Sequence, residues 1–193
     1  MAFTTRYCKN MRKTFLLVIA LLWAGVAQAA FIEPVKGNLF ATEDGYALSA
    51  NFAFDLGPYI EETITRGVPL YFNLELNVTR PRRYWVEEHV LGYALTYRVS
   101  YNALTRQYRL STGALHRSFE SLSDALQALS RITALPVADK NLFKPGEDYQ
   151  VGLRLSLDKA RLPKPFQLDV VGSRDWLVDV KVLRWKMTVA ESK

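Results

Sequence analysis

Two stretches of alternating apolar and polar residues form the clearest pattern in the chain, and they lie on either side of a short polar link. Successive side chains of a β-strand point to opposite faces, so this period of two predicts half-buried strands. The link, residues 80–83, is polar and contains a proline, which favours a turn between two antiparallel strands. The positions predicted to face the core are Leu70, Phe72, Leu74, Leu76 and Val78 in the first strand, and Leu91, Tyr93, Leu95, Tyr97, Val99 and Tyr101 in the second.

Further strands are predicted on both sides of this central pair. Residues 31–42 and 46–55 are typical of a hairpin, because Asp44-Gly45 between them is a favoured tight-turn pair. In the last predicted strand the apolar positions change parity near Val182 and Leu183, which predicts either a β-bulge or a strand buried on both faces. The remaining predicted strands cover residues 107–112, 149–157, 166–171 and 176–189.

Two short helices are predicted between the strands. The first covers residues 58–66, with Asp55 as its cap, Gly67 at its end and an apolar stripe at Leu56, Ile60 and Ile64. The second begins after Ser121, where Asp124 completes a short capping box and Leu122, Ala125, Leu126 and Leu129 follow at helical spacing. Residues 133–147 contain two prolines and a glycine, and we interpret them as a surface connection.

These elements, about eight strands and two short helices, predict a mainly β domain. We expect an antiparallel β-sandwich-like arrangement in which the helices cover an edge or an end of the sheets. A single antiparallel sheet with helices on one face, which would be an α+β fold, is the alternative. Residues 30–193 are numerous enough to bury a core without disulfide bonds, so we expect one domain.

The first 29 residues have the pattern of an export signal. Four basic residues precede an uncharged apolar run over residues 15–26, and Ala27-Gln28-Ala29 then offers the small side chains that signal peptidase accepts. Cleavage is expected between Ala29 and Ala30, which predicts a periplasmic or secreted protein. The alternative is an uncleaved signal that anchors the protein in the inner membrane and is its only membrane contact. Met11 is an alternative translation start.

The export signal accounts for much of the positive charge. The whole chain has 25 Lys and Arg and 19 Asp and Glu, a net charge of +6. Residues 1–29 hold four of the basic residues and none of the acidic ones, which leaves 21 basic and 19 acidic residues and a net charge of +2. Such a small charge is weak evidence for nucleic acid, and we expect no nucleic-acid partner. The one cysteine, Cys8, lies in the same segment.

A cluster of basic and aromatic residues in the link is the best candidate for a binding site. Guanidinium groups beside an aromatic platform suit an anion, a sugar or the contact surface of a protein partner. The alternative interpretation is a solvated hairpin link whose aromatic side chains pack at the end of the sheet. The candidate residues are Arg80, Arg82, Arg83, Tyr84 and Trp85.

The sequence has no pattern that indicates catalysis or metal binding. The two histidines, His89 and His116, lie on different predicted elements. On a strand, Glu87 and His89 share a face while Glu88 points away, so at most two ligands converge there, whereas a catalytic zinc ion needs three protein ligands. We therefore expect no metal, no cofactor and no enzymatic activity.

Several segments together resemble a known family. They are RPRRYW at residues 80–85, LTRQYRL at 104–110, LPKPFQ at 162–167, the tryptophan-rich last strand and the N-terminal signal. In these segments the chain resembles domain-of-unknown-function family 4390, whose members are exported proteins of proteobacteria; Phe166 stands where leucine is usual in the family. The resemblance implies no established activity or site residues. Members are often encoded beside a membrane sensor histidine kinase, which implies an envelope signalling partner.

The sequence supports two functional hypotheses. The first is a non-enzymatic domain that binds another envelope or membrane protein, such as the extracytoplasmic part of a sensor kinase, through Arg82 and Trp85. The second is a carrier of a small apolar or anionic ligand, which predicts a cavity between the sheets. A histidine-dependent hydrolase is a third hypothesis, and nothing in the residue spacing supports it.

Overall fold

The chain forms two β-sheets in the computed structural model, which describes residues 30–82, 87–173 and 176–189. The four-stranded sheet has the order β7-β2-β1-β9 and the six-stranded sheet the order β10-β8-β3-β4-β5-β6. The elements are β1 Ala30–Ala41, β2 Gly45–Asp55, α1 Gly57–Thr65, β3 Leu70–Arg80, β4 Glu88–Asn102, β5 Gln107–Thr112, β6 Leu115–Phe119, α2 Leu122–Ser130, β7 Arg131–Asp139, β8 Asp148–Leu157, a 3₁₀ turn Lys159–Arg161, α3 Lys164–Gly172, β9 Val178–Val180 and β10 Leu183–Thr188.

The prediction of a mainly β, sandwich-like domain is therefore confirmed. The described residues form ten strands and three α-helices, where we expected about eight strands and two helices. Buried side chains from both sheets belong to one hydrophobic cluster, and β1 contacts both β8 and β10 of the other sheet. The face of each sheet that lines this cluster is called the inner face, and the opposite face the outer face.

The central pair β3–β4 forms as predicted. The strands are antiparallel, with Leu70 opposite Val99 and Leu76 opposite Tyr93. The five apolar residues of β3 that face inward are each 0% exposed. Their partners on β4 are mostly half-buried, and only Val99 is fully buried. The pair therefore supplies the centre of the six-stranded sheet, but β4 is incompletely covered on its inner face.

Both predicted helices form, and the first one begins slightly earlier than expected. Leu56 is at the cap position of α1, while the carboxylate of Asp55 accepts a hydrogen bond from Gly57 N–H at 2.8 Å. The predicted apolar stripe is buried, and α1 contacts β4. In α2 the predicted capping is confirmed, because Ser121 Oγ accepts the Asp124 N–H at 3.0 Å and donates to the Asp124 carboxylate at 2.6 Å.

The interpretation of residues 133–147 as a surface connection is wrong for their first half, which belongs to β7. Among the described strands, β7 pairs only with β2, so it is an edge strand, and this pairing has register irregularities. Most of its side chains are exposed or half-exposed, and it contains Pro136 and a positive φ of 47° at Ala134. An exposed edge strand needs no regular apolar alternation, which is why the periodicity did not reveal it.

Residues 166–171 were predicted as a strand and instead lie in helix α3. The carbonyl oxygen of Pro163 accepts hydrogen bonds from the N–H groups of Phe166 at 2.9 Å and Gln167 at 3.2 Å. Pro165 falls in the first turn, where a missing N–H leaves no hydrogen bond unmade. The Gln167 side-chain amide also donates to the carbonyl oxygens of Ala160 and Leu162, at 2.8 and 2.7 Å. These bonds fix the helix against the preceding turn.

The last predicted strand, residues 176–189, is two strands in different sheets. β9 pairs in parallel with β1, whereas β10 pairs antiparallel with β8. The change of parity at Val182 and Leu183 therefore marks the passage from one sheet to the other. Both predicted explanations, a bulge and a strand buried on both faces, are wrong, because each strand keeps a regular alternation within its own sheet.

Candidate functional site

The sequence-predicted site lies only partly within the described residues. Arg80 is at the end of β3, where its Nη1 contacts Glu147 Oε2 at 2.9 Å and its Nε donates to Glu88 Oε2 at 2.9 Å. Arg82 Nη2 contacts the same Glu88 oxygen at 2.8 Å. Arg83, Tyr84 and Trp85 lie outside the described residues, as does Ala29 of the predicted cleavage site, while Ala30 is the first residue of β1.

The two described arginines are engaged within the chain. The hydrogen bonds from Arg80, and then those from Arg82, lower the pKa of the Glu88 carboxyl. The hydrogen bonds to Glu88 and Glu147 raise the pKa of Arg80. The Arg80 side chain is only 19% exposed, against 49% for Arg82. Arg80 thus ties the ends of β3 and β4 to the residue before β8, which is the hairpin-link interpretation, and any external anion would compete with two carboxylates.

A different group of arginines faces a cleft on the outer face of the six-stranded sheet. This arginine cleft, defined by Arg98, Arg109, Arg161, Tyr71, Ser111 and His116, has a volume of about 430 Å³. It lies over β3, β4, β5 and β6, at the end of the sheet away from Arg80. In the part of the chain that the structure describes, the lining residues include three arginines and a histidine but no Asp or Glu.

The strand register brings these side chains together. Tyr71 of β3 is opposite Arg98 of β4, Arg98 is opposite Ser111 of β5, and Ser111 is opposite His116 of β6. Arg109 is opposite Ser100, two residues from Arg98, so the two arginines are diagonal neighbours on one face. Gly113, with a φ of 57°, is the first of two turn residues between β5 and β6, where a type II′ turn requires positive φ.

Tyr71 fixes two of the arginines. The guanidinium carbon of Arg98 is 6.0 Å from the centre of the Tyr71 ring, and that of Arg161 is 5.5 Å away. Such cation–π contacts are worth about 0.5–1 kcal/mol at exposed sites. The aromatic ring therefore holds two like charges near each other without neutralising either of them.

The cleft has unused hydrogen-bonding capacity. Arg161 contacts Asp158 at 3.3 Å, but within the described part of the chain neither Arg98 nor Arg109 has an ion pair. The Nε of Arg109 is buried and has no hydrogen-bond partner there. A buried donor without a partner costs about 1–3 kcal/mol or more when charged. An anion in the cleft would balance the excess positive charge of the three arginines.

The larger concavity on the same outer face has a different character. Its volume is about 490 Å³, and it lies over β3, β8 and β10. Here Arg154 and Arg184 are accompanied by Glu75 and Glu87, and Arg154 contacts Glu75 at 2.6 Å. Positive and negative charges offset each other in this concavity, so the arginine cleft is the better candidate for binding an anion.

The arginine cleft holds donors for an anion but not the partners of a catalytic histidine. Ser111 and His116 are directly opposite each other on β5 and β6. Among the described residues, no hydrogen bond joins their side chains, and no carboxylate lines the cleft to orient the histidine. Nucleophilic catalysis by serine uses a base that is itself oriented by a third group. The arrangement therefore suits binding better than acyl transfer.

The sequence of this chain matches one protein family over most of its length. A family model described as Domain of unknown function (DUF4390) matches residues 32–186. The chain belongs to this family. No curated protein and no solved structure matches it. The match covers both sheets of this DUF4390 domain, including every residue that defines the arginine cleft.

The described part of the DUF4390 domain has neither a metal-binding cluster nor a membrane-spanning helix. In residues 30–82, 87–173 and 176–189, no three His, Cys, Asp or Glu side chains lie close enough to hold a metal ion together. Within the same ranges, no helix has both the length and the apolar character that crossing a membrane requires.

Open space also lies between the two sheets of the DUF4390 domain. One groove of about 930 Å³ runs between the inner face of β4, at Leu91 and Tyr93, and the strands β2 and β7, at Tyr46 and Val137. A second concavity of about 270 Å³ lies further along β4, beneath α2. Both exist because β7 is the edge of the narrower sheet and leaves β4 partly uncovered.

Sequence reasoning missed the arginine cleft. Arg98 and Arg109 each occupied an outward position of a predicted strand, where a single arginine is an ordinary solvated residue. Only the pairing of β4 with β5 makes them neighbours. The one available signal was that outward arginines recur on two successive predicted strands with no outward Asp or Glu between them.

Proposed function

We propose that this protein is a non-enzymatic binding module of the cell envelope that recognises an anionic group through the arginine cleft. The observation that carries the proposal is the pair Arg98 and Arg109, adjacent, without ion pairs in the described residues and with one buried donor unsatisfied. Hydrogen bonds to charged groups are worth about 1.5–3 kcal/mol each. Hydrogen bonds from both guanidinium groups to one anion would offset part of the freedom that the anion loses on binding.

The location is supported by the sequence of residues 1–29, whose basic, apolar and small-residue segments are typical of an export signal. We propose a periplasmic protein that begins at Ala30 after cleavage. Under this proposal the ligand takes one of two forms. The first is an anionic group on an envelope or membrane protein, such as the extracytoplasmic part of a sensor kinase. A small anion carried in the envelope is the other.

Titration with inorganic phosphate tests the cleft directly. We expect the double variant Arg98→Gln with Arg109→Gln to bind phosphate at least tenfold more weakly than the wild type, because both unpaired guanidinium groups are gone. Calorimetry at low and high salt measures this loss, and added salt should weaken binding to the wild type. Arg184→Gln, on the same sheet face but outside the cleft, is the matched control and should bind like the wild type. Equal affinity in the double variant would contradict the proposal.

Crosslinking in intact envelopes tests the partner. Recovery of one membrane protein by the wild type and its loss with the Arg98/Arg109 variant would support a protein ligand held by the cleft. Loss with an Arg82→Glu, Trp85→Ala variant instead would move the contact to the link predicted from sequence. The mass of the DUF4390 protein itself, purified from these envelopes, shows whether it begins at Ala30.

A further inference from the structure

We propose that the concavity beneath α2, on the inner face of the six-stranded sheet, binds a single-chain anionic amphiphile. The apolar chain lies between the sheets, and its acidic group is held by Arg117 and Arg131 at the rim. This amphiphile pocket is on the opposite face of the sheet from the arginine cleft, and the proposal does not depend on anion binding there.

The walls of the amphiphile pocket are apolar and belong to the core. Leu110 of β5, Leu129 of α2 and Ile132 of β7 line it, and each is buried. Tyr97 of β4 and Leu135 of β7 also contribute to the wall. The volume of about 270 Å³ is at the lower end of the range for small-molecule sites, so a short alkyl chain is the largest apolar group that it holds alone.

The pocket results from the unequal width of the sheets. The four-stranded sheet ends at β7, and α2 covers the space beyond it, where it contacts β5 and β6. Tyr97, the β4 residue that lines the pocket, stays half-buried, although the inner side chains of neighbouring β3 are fully buried. Burial, together with nearby Tyr93, raises the pKa of Tyr97 to about 12, as expected for a phenol in an apolar wall.

The positive charge at the rim of the pocket favours a ligand with a negatively charged head group. Arg117, Arg131 and His116 line the pocket, and among the described residues no Asp or Glu lines it. Neither arginine has an ion pair among the described residues, and the Arg117 guanidinium lies 5.3 Å from the centre of the Phe119 ring. An apolar cavity with an unneutralised cationic rim is complementary to an acid with an alkyl tail. A cationic or neutral tail would leave the rim charge unpaired.

A ligand with a longer alkyl chain could extend from the amphiphile pocket into the neighbouring groove along β7. Leu135 lines the amphiphile pocket, while Ala134 and Pro136 on either side of it line the 930 Å³ groove along β7. That groove ends at Asp44 and Asp139, so negative charge lies at the end opposite the arginines. The charges of the two concavities therefore favour one orientation of the ligand. Its acidic group lies at Arg117 and Arg131, and its alkyl chain runs along β7.

Binding of decanoate to the full mature domain tests the proposal, with butyrate and decyltrimethylammonium as matched probes below their micellar concentrations. We expect decanoate to bind at least tenfold more tightly than either, because only decanoate offers both the chain and the negative charge. Replacing Arg117 and Arg131 together by Gln should weaken decanoate binding at least tenfold and should not weaken the binding of decyltrimethylammonium, whose charge the arginines repel. The Arg98/Arg109 variant should bind decanoate like the wild type, which separates this site from the arginine cleft.

A second variant keeps the test independent of surface charge. Ala128 of α2 lines the pocket and is a small residue, so Ala128→Phe should fill the space and abolish decanoate binding while circular dichroism shows an intact fold. Equal affinity for the anionic and cationic amphiphiles would overturn the proposal, because it would indicate non-specific adsorption. Retained decanoate binding in Ala128→Phe would overturn it too, as would binding to anionic vesicles without binding to monomeric decanoate.

Discussion

Glu88 is the residue through which pH acts most directly on the described structure. Its carboxylate accepts hydrogen bonds from Arg80 and Arg82, and these lower its pKa below the ordinary value of 4.5. A carboxyl whose pKa is lowered by folding stabilises the native state above its unfolded pKa. That contribution is lost as the pH falls through the lower native pKa.

Replacing Glu88 by Gln should remove this contribution. The wild type should be more stable than Glu88→Gln at pH 7. The difference should shrink as the pH falls below 4.5 and disappear once Glu88 is protonated in both the folded and unfolded wild type. Urea unfolding at pH 7, 4.5 and 3 measures it, with Glu43→Gln, in the exposed turn after β1, as control. A difference that is the same at all three pH values would show that the ion pairs do not act through Glu88 ionisation.

At the scale of single elements, the sequence predicted what depends on local periodicity and failed where tertiary pairing decides. β3 and β8 have faultless alternation and form as predicted, because one face of each is buried. β7 was missed because an exposed edge strand carries no such pattern. α3 was predicted as a strand because its short apolar run suits both elements, and the turn contacts of Gln167 decide between them.

For the cap of α2, the contribution to the free energy of unfolding can be predicted from the sequence. Ser121→Ala removes the acceptor for the Asp124 N–H and should lower the free energy of unfolding by about 1 kcal/mol. Chemical denaturation measures this change. Ser130→Ala, at the other end of the same helix, loses only an exposed bond to the Gln127 carbonyl and should change stability less. Equal effects of the two substitutions would show that capping is not what Ser121 contributes.

At the scale of the whole molecule, the contact between Gly37 and Trp185 joins the two sheets. A Cβ atom on Gly37 of β1 would lie 2.9 Å from the ring carbons Cη2 and Cζ3 of Trp185 on β10. The glycine therefore makes room for the indole of the opposite sheet. Neither residue could be paired from sequence, because the alternation of a strand does not reveal which strand of another sheet lies across from it.

Gly37→Val should push β1 and β10 apart, because the added side chain would meet the Trp185 ring. We expect the free energy of unfolding to fall by about 1–3 kcal/mol, the usual cost of overpacking. Combining it with Trp185→Phe should recover part of the loss, because the smaller ring makes room for the added side chain; a double-mutant cycle measures this coupling. Val35→Ala, at an exposed position of β1, is the control and should have little effect. Strictly additive losses in the cycle would contradict the contact.

The arginine cleft could not be predicted for the same reason as the sheet contact. Its residues come from four strands and a turn, and only the register of β3, β4, β5 and β6 places them together. The predicted basic link, in contrast, is contiguous in sequence and was easy to see. Its described part proved to be ion-paired within the chain.

The passage of the chain from β9 to β10 also bears on how fast the protein folds. Lys181, just after β9, contacts Glu33 of β1 at 2.9 Å across a separation of 148 residues. Contacts of high sequence separation carry a large loop-closure entropy, and β-proteins that depend on them fold on the order of milliseconds to seconds. The four-stranded sheet gains its β9 edge only after nearly all of the chain is available. For a protein proposed to be exported, the four-stranded sheet would therefore stay incomplete until the C-terminal segment has followed the rest of the chain.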